Sequence, residues 1–231
     1  MAKNDKGVIG NEIDQVGNVL TKTEMYIEDN RKLLMIIIGV IVLIVGGYLG
    51  YKKLYIAPME DEAHQEMYMA EQYFAKDSFN LALNGDAQYP GFLSIIDQYG
   101  STKAGNLSNY YAGICYLNIR QYEKALEYLN NFSNDDNLLY PVSQGAMGDA
   151  NMELGKTEEA LSYYKKAADE KPNEFTSPIY MMKAGFALEK LNKWEEALAI
   201  YERLEKEYNR TSEGRKIEKY ITRAKIKLNK Q

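Results

Sequence analysis

Three alanines impose the strongest constraint on what this chain can fold into. They occupy the segments Tyr122-x-x-Ala125, Thr157-x-x-Ala160 and Trp194-x-x-Ala197, spaced 35 and then 37 residues apart. A period near 34 residues belongs to stacked helix-turn-helix units, none of which buries its apolar face without a neighbour. The residues around each alanine repeat in the same order. The first unit reads Gly113, Tyr116, Tyr122, Ala125, Leu129 and Phe132. The second reads Gly148, Asn151, Gly155, Ala160, Tyr164, Ala167 and Pro172, and the third Gly185, Leu188, Trp194, Ala197, Tyr201 and Leu204. Glycine in one helix and alanine in the next let two backbones approach, and the larger residues fill the space that remains. The turns fall at 118–121, 153–156 and 191–193.

This layout resembles the tetratricopeptide repeat family over residues 106–211. It departs from the family pattern where Asn109, Gln144 and Met181 stand in place of tryptophan, and where Asn151 stands in place of tyrosine. The resemblance implies an all-α solenoid of helical hairpins. More helix flanks the array. Met59–Lys76 carries Ala63, Met67, Ala70 and Phe74 at helical spacing, and Phe92–Tyr99 carries Phe92, Ile95, Ile96 and Tyr99. Turn signals at Asn84-Gly85-Asp86 and Tyr89-Pro90-Gly91 separate them. Residues 54–105 are therefore expected to form a divergent first repeat with an inserted loop at 77–90. The apolar stripe Ile217, Tyr220, Ile221, Ala224 and Leu228 makes 212–231 the expected capping helix.

Ahead of the array, Leu33–Tyr51 (LLMIIIGVIVLIVGGYLGY) contains no charged residue. As a helix it is about 28 Å long, close to the hydrocarbon thickness of a bilayer. Arg31 and Lys32 bound one end, Lys52 and Lys53 the other, and no small-x-small cleavage site follows. The expectation is an uncleaved signal anchor at 33–51 behind a short tail, 1–32. Lys22, Arg31 and Lys32 against Lys52 and Lys53 give a slight positive-inside bias, which puts the tail in the cytoplasm and the array outside it. Within the tail, Ile13, Val16, Leu20, Thr23 and Ile27 recur at helical spacing.

Little in the sequence points to catalysis. One cysteine, Cys115, and one histidine, His64, leave no disulfide, no Cys-rich zinc site and no histidine cluster. Asn134-Asp135-Asp136-Asn137 lacks the spacing, glycine and distal glutamate of a calcium loop. Nucleophile-elbow, phosphate-loop and dinucleotide motifs do not occur, so no enzyme activity, metal or cofactor is expected. The net charge of −5 argues against nucleic acid as a partner. Charge is also unevenly placed: residues 54–211 carry 14 basic and 25 acidic side chains, whereas 212–231 carry 7 and 2. An acidic array ends in a basic helix, either as a solvated cap or as a dock for an acidic partner or anionic headgroups.

In tetratricopeptide arrays the first helix of each repeat lines a concave groove. Alignment to that family implies a partner-binding groove of Tyr110, Ile114 and Asn118, then Asp149, Met152 and Glu153, then Met182, Phe186 and Glu189. The Lys/Asn/Arg set with which some arrays clamp a C-terminal carboxylate is missing. The groove reads as mixed apolar and acidic, suited to apolar or basic polypeptide segments.

The whole layout is similar to the YfgM-like ancillary subunits of the bacterial Sec translocon, which share a short cytoplasmic tail, one anchor and a periplasmic helical-repeat domain. Asp14-Gln15-Val16 and Glu28-x-Asn30-x-Lys32 carry the local likeness. The resemblance implies a single-pass bacterial inner-membrane protein with its C-terminal domain in the periplasm. Its implied partners are SecYEG, a membrane-anchored periplasmic chaperone or exported clients. Two alternatives stay open: an anchored receptor facing the cytosol, and an assembly factor for an envelope secretion or outer-membrane complex.

Overall fold

The computed structural model describes residues 25–229. The tail positions Ile13, Val16, Leu20 and Thr23 and the motif Asp14-Gln15-Val16 lie outside them, as do Lys230 and Gln231. The chain divides into two compact units, Met1–Pro58 and Met59–Gln231.

In the first unit, Asn30 departs from helical geometry, and its side-chain amide donates to the Tyr26 carbonyl at 2.9 Å. Helix α1 (Arg31–Tyr51) starts there. None of its 21 residues is buried, and Leu43 is 76% exposed. A helix apolar on every side without protein covering it has the length and composition of a bilayer span. A π-helical turn (Lys52–Ile56) follows, with Tyr51 and Tyr55 stacked at 5.4 Å.

Helices build the second unit: α2 (Ala57–Ala75), α3 (Phe79–Asn84), α4 (Phe92–Tyr99), α5 (Lys103–Asn118), α6 (Tyr122–Asn131), α7 (Leu139–Glu153), α8 (Thr157–Asp169), α9 (Ser177–Lys190), α10 (Trp194–Tyr208) and α11 (Glu218–Lys227). Among the described residues there is no strand, only an isolated bridge between Gly85 and Pro90. From α5 onward each helix packs mainly on its chain neighbours, and first helices of adjacent repeats also touch, α5 on α7 and α7 on α9. The result is an all-helical solenoid of the tetratricopeptide type.

One turn recurs four times. Asp77, Arg120, Gly155 and Asn192 lie in the left-handed region, at φ 56°, 61°, 74° and 58°. At the first, the Ser78 amide donates to the Tyr73 carbonyl and the Asp77 amide to the Phe74 carbonyl. The same pair of bonds closes the other three turns, a Schellman termination that satisfies the last carbonyls of each first helix. Counting from this residue puts the hairpins in register. Seven positions earlier stand Ala70, Gly113, Gly148 and Gly185; five later stand Ala82, Ala125, Ala160 and Ala197, each 0% exposed. Residues 57–84 thus repeat the hairpin geometry, with alanine in the glycine slot.

The glycines make room for side chains of the paired helix. A Cβ at Gly113 would lie 2.5 Å from Leu129 Cγ, at Gly148 2.5 Å from Tyr164 Cε1, and at Gly185 2.1 Å from Tyr201 Cε1. The expected loop at 77–90 is partly helix instead. Phe79–Asn84 forms α3 and buries Ala82 and Leu83. Six residues are too few for apolar periodicity to show in sequence, but packing against α4 and α5 holds them. Only 85–91 is irregular. There the Asp86 carboxylate accepts the Gln88 and Tyr89 amides at 2.8 Å each and the Tyr73 hydroxyl. The C-terminal segment begins with a 3₁₀ turn (Gly214–Lys216) before α11.

The departures from the family pattern are absorbed locally. Buried Asn109 donates to the Gly105 carbonyl at 3.1 Å, and buried Asn151 to that of Met147 at 2.8 Å. Each asparagine is satisfied within its own helix, so neither leaves an unpaired polar group in the core.

Candidate functional groove

The first helices α5, α7 and α9 carry the candidate groove residues, and the structure gives these residues unlike surroundings. Tyr110 and Ile114 are half-buried. The Tyr110 ring lies 5.4 Å from Phe132, and Ile114 packs on the cluster of Leu129, Ala146 and Met147. Asn118, Asp149, Met152 and Glu153 come together around a cleft of about 480 Å³ between the hairpins α5–α6 and α7–α8. Leu117, Arg120, Tyr122 and Tyr164 complete its lining. Arg120, Tyr122 and Tyr164 are missing from the groove candidates read from the sequence because they come from a turn and from second helices. Met182, Phe186 and Glu189 stand apart from this cleft, on α9; Phe186 remains 39% exposed with its ring 5.2 Å from Tyr220.

The carboxylates are differently committed. Asp149 accepts the Tyr164 hydroxyl at 2.7 Å and pairs with Lys183 Nζ at 2.7 Å. Glu189 accepts the Tyr201 hydroxyl at 2.8 Å and pairs with Arg223 Nη2 at 2.7 Å. Tyr164 and Tyr201 each stand nine residues beyond the left-handed turn position, and each cation comes from the first helix of the following unit. The same tyrosine–carboxylate–cation triad is therefore built twice. Burial, and then the adjacent carboxylate, raise both tyrosine hydroxyls above their ordinary value of 10.0. Glu153 accepts only a long bond from Tyr122, 3.3 Å.

These pairs add to the sequence reading of a mixed apolar and acidic groove. Asp149 and Glu189 are neutralised within the array, and Glu153 is the exposed carboxylate among the nine candidates. Partly exposed pairs of this kind contribute about 1 kcal/mol or less each to stability. Their larger consequence is that they remove negative charge from the inner wall.

Other candidate chemistry stays apart. Cys115 is fully buried, and burial pushes its thiol up to about 12, so it is a neutral packing group at ordinary pH. His64 meets Glu60 at 3.0 Å on α2. Glu60 in turn accepts the Lys103 and Ala104 amides at 2.7 and 3.0 Å, capping α5 from another helix. No group of three metal-ligating side chains occurs among the described residues.

A family model for the tetratricopeptide repeat matches residues 108–136 and 180–208. Among solved structures, the chain is similar to a protein of Podosopora anserina described as a kinesin light chain with nearly identical TPR-like repeats. The identity is 11%, the TM-score 0.57, and the match covers 74% of this chain and 88% of that one. A one-residue variant of that protein gives 12% identity over the same coverage, also at TM-score 0.57. At such identity the likeness speaks for the fold. No curated protein matches the sequence. The chain carries tetratricopeptide-type repeats, and such arrays mediate contacts between proteins.

Proposed function

We propose that the protein is a membrane-anchored scaffold that holds polypeptide segments beside a bilayer, with its repeat array outside the cytoplasm. The observation that carries this reading is α1. It is apolar all round, long enough to cross a membrane and has no buried residue, and it precedes a repeat array of a type that binds proteins. The Tyr48, Tyr51 and Tyr55 cluster beside Lys52 and Lys53 has the composition of a headgroup belt. Asn30 of Glu28-x-Asn30-x-Lys32 stands at the start of α1, where a tail would meet a span.

More specifically, we read it as an ancillary subunit of a bacterial Sec translocon. Its partners would be SecYEG, a membrane-anchored periplasmic chaperone or exported clients, and it would sit in the inner membrane. The arrangement of tail, anchor and repeats supports this. A topology reporter fused after Gln231, followed by crosslinking in cells, tests both levels. Signal outside the cytoplasm and capture of translocon or chaperone components are expected. A cytoplasmic reporter with only cytosolic proteins captured points to the anchored receptor instead, and envelope-assembly components to the assembly factor.

A further inference from the structure

The end of the array nearest α11 reverses the charge of the rest. On α11 and the turn before it, Lys216, Lys219, Arg223 and Lys227 fall at i, i+3, i+7 and i+11, along one side of the helix. All four are exposed. This stripe runs beside the buried face formed by Ile217, Ile221 and Ala224. It also adjoins an aromatic pair, because Tyr220 on α11 meets exposed Phe186 on α9. Lys219 Nζ lies 4.7 Å and the Arg223 guanidinium 4.9 Å from the Tyr220 ring centroid, so both cations are held against that pair.

The carboxylates nearby do not cancel the stripe. Glu189 is taken by Arg223 and Tyr201. Glu202 lies 3.8 Å from Lys225, on the other side of α11. Glu213 accepts the Ser212 hydroxyl. Glu218 is on α11 itself, at a helical angle away from the stripe. Among the described residues no carboxylate comes within ion-pair distance of Lys216, Lys219 or Lys227.

We propose that this surface docks an acidic–apolar polypeptide segment. An aromatic or aliphatic side chain of the partner would rest on Phe186 and Tyr220, and flanking carboxylates would meet Lys216, Lys219 and Lys227. The proposal rests on the scaffold reading and sharpens it by choosing, for the basic end of the array, the acidic partner over the solvated cap and the anionic headgroups; the groove alignment by itself suggests basic segments. Electrostatic complementarity of this kind sets partner choice and encounter rate. Pairing of Asp149 with Lys183 and of Glu189 with Arg223 lowers the repulsion that an acidic segment would meet along α7 and α9, where Glu153 stays exposed.

The full chain in nanodiscs of neutral phosphatidylcholine provides the test, with fluorescence anisotropy as the readout. The probes are two labelled peptides of identical Leu/Phe spacing, one with Glu and one with Lys at every polar position. The Glu peptide is expected to bind at least tenfold tighter, and its affinity to fall as salt rises. Lys216→Glu/Lys219→Glu/Lys227→Glu should abolish that preference, and Phe186→Ala should weaken binding of the Glu peptide, with the helical circular dichroism of both variants unchanged. Equal or tighter binding of the Lys peptide overturns the proposal, as does an unaffected charge-reversal variant. Anionic nanodiscs probe the alternative that the stripe serves lipid headgroups. Protection of α11 from hydrogen exchange only on those discs, with no Glu-peptide binding on neutral ones, also overturns it. Photocrosslinkers at Phe186 and at Asn118 separate the two levels: capture of polypeptides at Asn118 alone rejects this surface and leaves the scaffold standing, whereas capture at neither position rejects the scaffold.

Discussion

Both ends of the array rest on buried apolar cores and share one turn geometry, but they differ in what else joins their hairpins. Around α2, α4 and α5 the core is aromatic. Phe74 meets Tyr111 at 5.0 Å, and Phe92 stacks on Tyr111 at 4.9 Å with the rings 5° from parallel. Around α7 to α11 the repeats are joined by polar links across the period. Asp149–Lys183, Asp169–Arg203 and Glu189–Arg223 each span 34 residues. Aromatic rings prefer stacked or edge-on contacts but need no 34-residue register, and Phe92 follows directly on the irregular 85–91 segment. A charge ladder requires register and goes with regular repeats. Apolar packing sets the strength of both ends, and charge placement shapes the surface of the second.

The largest effect should come from the aromatic end. Phe92 is 0% exposed, and Phe92→Ala removes the ring that stacks on Tyr111, with an expected loss of about 3–5 kcal/mol. Repeat arrays are coupled mainly through nearest neighbours, so the loss should be local. Hydrogen exchange should show α2–α5 opening while α9–α11 stay protected. Uniform loss of protection along the chain would mean that the two ends are one cooperative unit and would erase the distinction drawn above.

Next come the close approaches. Gly185→Ala puts a methyl 2.1 Å from the ring of Tyr201, which is fully buried and fixed at its hydroxyl by Glu189. Overpacking of this kind costs about 1–3 kcal/mol. Gly113→Ala meets Leu129, a more adaptable side chain, at 2.5 Å and should be the milder change. Paired thermal melts decide it; the reverse order would show that the tyrosine slot yields more readily than its hydrogen bond suggests.

How far the sequence reveals this molecule depends on what repeats. Ala125, Ala160 and Ala197, with the glycines before them, announce stacked hairpins because those positions are buried where paired helices press together. Helix α3 is hidden because six residues carry no measurable period. A linker device is equally easy to overlook: Tyr99-x-x-Thr102-x-x-Gly105 recurs as Tyr208-x-x-Thr211-x-x-Gly214. In both, the threonine hydroxyl donates to the tyrosine carbonyl and accepts the glycine amide. The pairing of the groove carboxylates is hidden for a different reason. Asp149 and Glu189 fall on the inner face by alignment, but their neutralisation depends on Lys183 and Arg223 one repeat later. The shared spacing of 34 residues is the only trace of it in the sequence.

The triads give a smaller effect with a distinctive pH dependence. Tyr201→Phe removes one hydrogen bond to Glu189 and leaves the Arg223 pair, for a loss of about 1 kcal/mol at neutral pH. In the folded chain burial, and then Glu189, raise the Tyr201 hydroxyl above 10.0. A raised value means that the folded state holds the proton more firmly. The stabilisation is complete below pH 10 and is lost as pH climbs toward the raised value. Melting temperature should therefore fall on the alkaline side, and Tyr201→Phe should flatten that fall. Identical slopes in wild type and variant would show that other tyrosines govern the transition.

The ladder's most exposed rung should matter least to stability, which separates its two roles. Arg203 and Asp169, 2.7 Å apart, have side chains 41% and 44% exposed, whereas Glu189 is 13% exposed in its pair with Arg223. Solvent screens the first pair, and a double-mutant cycle on Arg203→Ala and Asp169→Ala should return about 0.2–1 kcal/mol, shrinking in 1 M salt. The same cycle on Arg223 and Glu189 should return more and shrink less. Two equal, salt-sensitive values would mean that Glu189 is wetter than its burial implies. The carboxylate would then remain available to a ligand, and the inner wall would regain the acidic character that the alignment assigns to it.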